Sequence, residues 1–358
     1  MDYLRLFLNI LICIILFYVF FKFIRTRAVN FLTLQENLIG MVDNEELNNL
    51  KANKNSPSIG NIQSIQPKIA NMPLKEYCVK ASYNSAVSGK SVNKNMIKYV
   101  LNRGCRFLDF EVFYIKSNDN FVPVVAESSD PEYKKFDTDN HITLESAFST
   151  LISNAFSGNS PNKKDPLFVH LRIKTKDTNC YSSIAKSIDS ILKAKLFEGE
   201  ITKDTKLAEI MGKIVIVVDK TIHRDYKDYA KCKGSDTKCY DLSNYLNIES
   251  GSQNINLYNL MQLEQQASSP ALIKDDNVST SSLASKVVLP VSKSNKNPDM
   301  KKMILDYGAQ IVAYRYGNID DNLVDCEVFF NDSRGGILPL AAAIPYFERV
   351  QKELTRKK

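Results

Sequence analysis

The sequence predicts an α/β fold in which a parallel sheet closes into a barrel, preceded by one transmembrane helix. Short β-branched or aromatic runs alternate with longer amphipathic runs over roughly 270 residues after Pro73, a length that suits a single barrel. An apolar run opens the chain, and a polar segment separates it from the alternating part. The alternation predicts strands at 106–114, 122–125, 167–173, 213–218 and 310–316, and helices at 92–101, 144–156 and 182–196.

The composition is that of a globular protein. Of the 358 residues, 44% are hydrophobic and 24% are charged, which excludes a disordered chain, collagen and low-complexity fibres. The 47 Lys and Arg against 40 Asp and Glu give a net charge of +7. This excess is not clustered as in a nucleic-acid binder, so we expect no nucleic-acid partner and favour an anionic membrane surface. Seven scattered cysteines do not resemble the framework of a small secreted domain, and most are expected to be reduced.

Residues 1–27 are interpreted as a membrane anchor. Residues 6–21 are almost entirely apolar, and the run approaches the roughly 20 residues that span the hydrocarbon of a bilayer. A cleaved signal peptide is disfavoured because the run ends in basic residues and lacks a small-residue cleavage site. These residues, Lys22, Arg25 and Arg27, place the downstream chain on the cytoplasmic side by the positive-inside rule.

Motifs of one known family follow the polar segment. MPLKEYCVKASYNSAVSGKSV (72–92), NRGCRFLDFEVFY (102–114) and FVPVVAES (121–128) resemble, in this order, the X region of phosphoinositide-specific phospholipase C. The segments 241–250 and 308–340 resemble its Y region. Hydropathy and composition give an anchor (1–27), a polar stalk (28–72) and a basic tail (346–358). The resemblance divides the rest into an X-like half (73–222), a short basic connection (223–240) and a Y-like half (241–345).

The resemblance implies a distorted TIM (β/α)8-type barrel of the kind found in the PLC-like phosphodiesterases. In that family, two histidines carry out acid/base catalysis on the phosphodiester between inositol phosphate and diacylglycerol. Calcium, held by an asparagine and carboxylates, lowers the pKa of the attacking 2-hydroxyl. Chemistry in such barrels takes place at the carboxyl ends of the strands.

Both histidine positions are replaced in this chain. Tyr83 stands at the first, and Glu127, or its neighbour Ala126, stands at the second. A phenol with a pKa near 10 is a poor general base at neutral pH, and a glutamate adds negative charge beside a phosphate. No catalytic residue is therefore expected.

The calcium position is altered as well. Asn84, Asp109 and Glu111 match the asparagine and the acidic pair, but the remaining carboxylate aligns with Arg172. A permanent guanidinium charge would repel a divalent cation, so neither a metal nor another cofactor is expected, and Ca²⁺ is implied only if the barrel is active. Asp109 and Glu111 are instead predicted to form ion pairs with Arg172 or Arg106.

A few other residues are remnants or alternatives. Lys220 alone remains of the family's phosphate-binding lysines, and Ser285 and Lys286 match its substrate-binding Ser-Arg pair. His170, on the predicted strand of Arg172, is interpreted as structural, the alternative being relocated chemistry.

A cysteine pair invites a metal interpretation. Cys232 and Cys239, near His223, could bind zinc, but their spacing and the lack of a second pair favour a simple connecting segment.

The leading hypothesis is a membrane-anchored, catalytically inactive barrel with a binding or structural role. Its expected partners are the bilayer, anionic phospholipid and other proteins of a membrane assembly. The Asn-, Lys- and Ile-rich sequence also suits a virion inner-membrane component of a large DNA virus. One alternative is an active phosphodiesterase that cleaves phosphatidylinositol-type lipids with Glu127, His170 or Tyr83 in altered roles. Another is an adaptor that binds phosphoinositide headgroups without cleaving them.

Overall fold

The computed structural model describes residues 47–48, 50–52, 60–117, 120–232, 239–271, 285–290 and 296–356. The chain divides into two compact units, 1–49 and 50–358, and the fold reported below is that of the second unit. Among the described residues, no helix has both the length and the apolar character needed to cross a bilayer. The predicted anchor at 1–27 and most of the predicted stalk lie outside the described residues.

The described strands and helices alternate along most of the chain. The strands are β1 (Tyr77–Ser82), β2 (Val87–Ser88), β3 (Ser91–Val92), β4 (Phe107–Ser117), β5 (Asn120–Ala126), β6 (Ile142–Thr143), β7 (Leu167–Ile173), β8 (Ile214–Asp219), β9 (Ile248–Ser250), β10 (Ile255–Asn259), β11 (Ser285–Leu289), β12 (Ile311–Tyr314) and β13 (Ile337–Pro339). The α-helices are α1 (Lys94–Asn102), α2 (Leu144–Ala155), α3 (Thr178–Ser187), α4 (Lys227–Ala230), α5 (Leu260–Glu264), α6 (Met300–Tyr307), α7 (Asp321–Asp332) and α8 (Leu340–Arg356).

Eight of the strands form a closed parallel barrel. They pair in the order β1, β4, β7, β8, β9, β10, β11 and β12. The last strand returns to the first, with Ile311 of β12 opposite Val79 of β1. The predicted closed α/β barrel is therefore confirmed.

Side chains alternate between the inside and the outside of the barrel wall. On β1, Val79 and Ala81 belong to the apolar cluster inside the barrel, while Lys80 between them lies on the outer face. The Lys80 ammonium is fully buried against α7, 2.7 Å from the Glu327 carboxylate, and Arg103 donates to the same carboxylate at 2.8 Å. An internal ion pair thus joins the barrel wall to its outer helices.

Helix starts follow from capping side chains. Asn93, Thr143 and Asp177 each accept a hydrogen bond from a backbone N–H in the first turn of α1, α2 and α3. The cap at Asp177 explains why α3 begins at Thr178, before the predicted start of that helix at residue 182. Beyond Ser187 the predicted helix continues as a π-helical turn, Ile188–Leu192.

The barrel departs from regular strand-helix alternation in two places. After β4 the chain turns back into β5, which is antiparallel to β4, so the predicted strand at 122–125 lies outside the parallel barrel. Between β9 and β10, the four residues 251–254 stand in place of a covering helix. Gly251 has a φ of 76°, and a Cβ there would lie 2.3 Å from the Thr221 side chain, so this connection requires glycine.

Cys232 and Cys239 form a disulfide, with their Cα atoms 5.8 Å apart. Paired sulfurs are not available as zinc thiolates, so the zinc interpretation of this pair is wrong. Four further cysteines, Cys78, Cys105, Cys180 and Cys326, are free and buried.

Candidate functional site at the barrel mouth

The residues that the sequence aligned with the catalytic site converge at the carboxyl ends of the barrel strands. Tyr83 and Asn84 directly follow β1, while Asp109 and Glu111 lie on β4 and Arg172 on the neighbouring β7. Glu111 stands opposite Arg172 in the strand register, and alternation points both side chains into the barrel.

Arg172 occupies the centre of this group. Its Nε and Nη2 donate to the two oxygens of Asp109 at 2.9 and 2.7 Å, and its Nη1 donates to Glu111 Oε1 at 2.5 Å. Nη2 also donates to Asn84 Oδ1 at 2.6 Å. The predicted ion pair of Asp109 and Glu111 with Arg172 is therefore present. Arg106 takes no part in it, because its guanidinium donates to Ala155 O, Ser160 Oγ and Asn162 O.

The donor set does not fit a calcium ion. Asn84 Oδ1, both Asp109 oxygens and Glu111 Oε1 accept hydrogen bonds from Arg172, and Glu111 Oε2 accepts one from the Ser128 N–H. Burial alone would lower the pKa of the Arg172 guanidinium, but Asp109 and Glu111 outweigh it and raise that pKa well above its ordinary value. A divalent ion would have to displace a charged side chain that cannot lose its proton.

Asn84 is held in an unusual backbone conformation. Its φ is 42°, in the left-handed region that asparagine tolerates better than most residues. Its backbone N–H donates to Asp109 Oδ2 at 3.1 Å, while its side-chain oxygen faces Arg172. The turn after β1 is thus fixed to the same carboxylate that holds the guanidinium.

His170 extends the network into the barrel. Its Nδ1 lies 2.7 Å from Asp109 Oδ1, and its Nε2 lies 2.8 Å from Ser250 Oγ at the end of β9. The three side chains are fully buried, and the His170 ring packs on Phe107 with centroids 5.2 Å apart. Burial raises the pKa of the Asp109 carboxyl, but Arg172 and His170 hold it well below its ordinary range. This arrangement matches the structural interpretation of His170, because no surface of the ring or of Ser250 is open to a substrate.

Tyr83 lies between two guanidinium groups. The central carbons of Arg172 and Arg315 are each 4.5 Å from the centre of its ring. Burial raises the pKa of the Tyr83 phenol to about 12, although the two arginines lower it. A phenol in this position stacks against cations and is a still weaker base than free tyrosine.

Glu127 pairs with Arg315, which the sequence analysis did not single out. Arg315 Nη1 donates to Glu127 Oε1 at 2.6 Å. Burial raises the pKa of the Glu127 carboxyl, although Arg315 lowers it. Alternation could have identified Arg315, since Ile311 and Ala313 of β12 lie in the barrel core and residue 315 follows in the same register.

The loop between β5 and β6 closes over these residues. The Ser128 N–H donates to Glu111 Oε2 at 2.9 Å, and the Asp137 N–H donates to Glu127 O at 2.8 Å. Lys174 adds a further cation 3.7 Å from Glu111. The charges of these mouth residues balance, three against three: Arg172, Arg315 and Lys174 with Asp109, Glu111 and Glu127.

The predicted substrate-pocket remnants lie elsewhere. Ser285 and Lys286 begin β11, at the opposite end of the barrel, and the Lys286 ammonium donates to Ser269 Oγ at 2.8 Å. Ser285 and Lys286 are therefore not part of the barrel mouth that holds Arg172. Lys220 follows β8, where its ammonium is 3.5 Å from the Glu249 carboxylate on the outer face of β9.

Residues 70–220 match the family model "Phosphatidylinositol-specific phospholipase C, X domain". The chain is therefore similar to a phospholipase C X domain over this segment. Tyr83, Asn84, Asp109, Glu127 and Arg172 all lie within it.

Solved structures support the same fold. The crystal structure of L. pealei PLC21 is 14% identical and superposes with a TM-score of 0.53, covering 75% of this chain and 37% of that one. The crystal structure of S. officinalis PLC21 is 15% identical, with the same TM-score and coverage. The matched part of the chain thus spans little more than a third of the length of either protein. No curated protein sequence matches the chain.

Proposed function

We propose that this protein is a membrane-anchored phospholipase-C-like barrel that binds at a membrane without cleaving phosphodiesters. The observation that carries the proposal is the Arg172 guanidinium, which fills the space between Asn84, Asp109 and Glu111. An X-domain reaction needs a cation at these oxygens and proton carriers beside them. Here the cation is a side chain, and it offers no open coordination position to a substrate.

The remaining positions support the same conclusion. Tyr83 is stacked between arginines, and the Glu127 carboxylate is engaged by Arg315. Each well-placed general acid or base is worth roughly 10²- to 10⁴-fold in rate, so losing two of them together with the metal removes most of the acceleration.

A role at a membrane rests on the amino terminus and on the X-domain match. The apolar run at 6–21 is long enough to anchor the chain, and the basic residues after it favour a cytoplasmic barrel. The matching family model is named for phosphatidylinositol, so anionic phospholipid is the proposed membrane partner. A place in the inner membrane of a large DNA virus's virion is a further proposal, supported only by the Asn-, Lys- and Ile-rich composition of the sequence.

A turnover assay tests the proposed inactivity. The full chain, purified in detergent micelles with phosphatidylinositol and Ca²⁺, should release no inositol phosphate above the protein-free blank, while an active phospholipase C in the same assay releases it. If turnover occurs and Asp109→Ala abolishes it, the proposal is wrong and the active alternative is correct. Asp204→Ala, which alters an exposed carboxylate, is the matched control.

A further inference from the structure

A groove runs along the outer face of β9. Residues 251–254 join β9 directly to β10 without a helix. The outer face of β9 is therefore left uncovered between α4 and the turn at Leu242–Tyr245. The groove has a volume of about 700 Å³. Pockets for small ligands typically measure about 300–1,000 Å³, so it is large enough for one.

Lysines converge on this groove around one carboxylate. Glu249 points outward from β9, and Lys227 lies 2.6 Å and Lys220 3.5 Å from its oxygens. The Tyr226 hydroxyl donates to Glu249 at 2.6 Å. Lys231 lies on the same groove. Glu249 therefore holds two ammonium groups in place, and since each ammonium has three N–H donors, further donors can face a ligand.

We propose that this groove binds a small anion that carries phosphate groups, through Lys220, Lys227 and Lys231. This inference rests on the binding role proposed above, to which it adds a location and a class of ligand. The three lysines outnumber the two carboxylates of the groove, Glu249 and Glu200, so the local charge favours an anion over a metal cation.

The rest of the lining suits a polar ligand. Ser243, Ser252 and Asn254 supply neutral hydrogen-bonding groups beside the lysines. Phosphate oxygens accept several charge-assisted hydrogen bonds at once, which matches ammonium groups arriving from two different elements. Among the described residues, the mouth of the barrel offers no comparable surplus of positive charge, because Arg172, Arg315 and Lys174 are balanced by Asp109, Glu111 and Glu127, and Asp219 adds a further carboxylate near Lys174.

Calorimetric titration of the full chain in detergent micelles with pyrophosphate tests the proposal. We expect saturable binding that weakens about tenfold for Lys220→Ala and again for Lys227→Ala, as for the loss of one charge-assisted hydrogen bond each. Lys302→Ala is the matched control, because Lys302 also forms a single exposed ion pair, with Glu264, on α6. Its affinity should equal that of the unaltered protein.

Glu249→Gln provides a test in the opposite direction. It removes the anion that competes for the lysines while keeping an oxygen that can accept from Tyr226, so pyrophosphate should bind more tightly. Unchanged binding in this variant would overturn the proposal, since it would mean that pyrophosphate binds away from Glu249 and its lysines.

A second titration, with a short-chain, water-soluble phosphatidic acid, identifies the source of the phosphate. Binding of this lipid alone, lost in Lys227→Ala, assigns the groove to a headgroup, and binding of pyrophosphate alone assigns it to a soluble anion. If neither compound binds, or if Lys220→Ala combined with Lys227→Ala leaves binding unchanged, the proposal fails. Turnover that depends on Asp109 would disprove the proposed inactivity and leave these titrations unaffected.

Discussion

Arg172 differs from the other replacements at the barrel mouth because it takes over a structural task. Arg172 supplies the positive charge that two buried carboxylates, Asp109 and Glu111, need. Buried charges are costly unless they are paired. Arg172 therefore keeps both carboxylates compatible with a folded barrel and, under the proposed inactivity, also occupies the place that the family resemblance gives to calcium.

Reversing that charge should restore a cation requirement. We expect Arg172→Glu to lower the melting temperature, because Asp109, Glu111 and the new carboxylate repel one another in a buried space. Added Ca²⁺ should recover part of the loss, since hard oxygen ligands would then face an empty centre. Differential scanning calorimetry with and without Ca²⁺ checks this. Arg172→Gln is the control, and a Ca²⁺ response in the unaltered protein would contradict the prediction.

A second residue-level prediction concerns pH. Burial raises the pKa of Asp165 from 3.8 to about 6, although Arg106 lowers it. The folded state then holds the Asp165 proton more tightly than the unfolded state, so this group adds stability as pH falls from about 6 towards 4, by about 2–3 kcal/mol. Asp165→Asn should flatten this slope in urea unfolding measured between pH 7 and 4. An unchanged slope would contradict the assignment.

The sequence predicts those residues of the barrel mouth that lie within recognisable motifs. Asn84, Asp109, Glu111 and Arg172 were identified because each stands in a motif with fixed spacing. Alternation along β12 predicts that Arg315 points into the barrel, but its pairing with Glu127 depends on the closure of β12 against β1, a contact between distant parts of the chain. Ser285 and Lys286 match a family motif, but the motif does not show that β11 begins at Ser285 and that both residues therefore lie at the far end of the barrel.

At the scale of elements, a buried ion pair between β1 and α7 links the barrel wall to its outer layer. Glu327 accepts from Lys80, Arg103 and Tyr316, and its pKa is lowered because Lys80 and Arg103 outweigh the effect of burial. We expect Glu327→Gln to reduce the free energy of unfolding by roughly 3–5 kcal/mol, because it removes the carboxylate charge that balances two buried cations, Lys80 and Arg103.

Urea unfolding checks this prediction. The matched control is Glu264→Gln, which removes an exposed ion pair with Lys302 and should change stability by at most about 0.5–1 kcal/mol. Equal effects of the two substitutions would contradict the prediction.

Element boundaries were predictable where periodicity was strong. The strands β4, β7 and β8 and the helix α2 lie close to their predicted positions because their apolar spacing is regular. Strand β9 has only three residues, and β10 and β11 have five each, too few for a periodic signal. The groove next to β9 could not be predicted. It exists because no helix separates β9 from β10, and the hydrophobic pattern predicted neither of these two strands.

At the scale of the whole molecule, attachment to a membrane is the property most open to test. The full chain should remain in the membrane fraction after extraction with alkaline carbonate. Two lysines in the apolar run, Ile14→Lys with Ile15→Lys, should release it, since each charged residue at the centre of a bilayer costs about 2.5–3.5 kcal/mol on insertion scales. Immunoblots of the two fractions measure this. Retention of the double variant would contradict the anchor.

The disulfide between Cys232 and Cys239 joins the chain to itself within the predicted connection of the two halves of the barrel. A protease that cuts once between these cysteines would produce two polypeptides that remain covalently linked. The nicked protein would migrate as one species on a denaturing gel until a reducing agent separates it. Cleavage at this point would therefore produce two fragments without releasing either half of the barrel from the other.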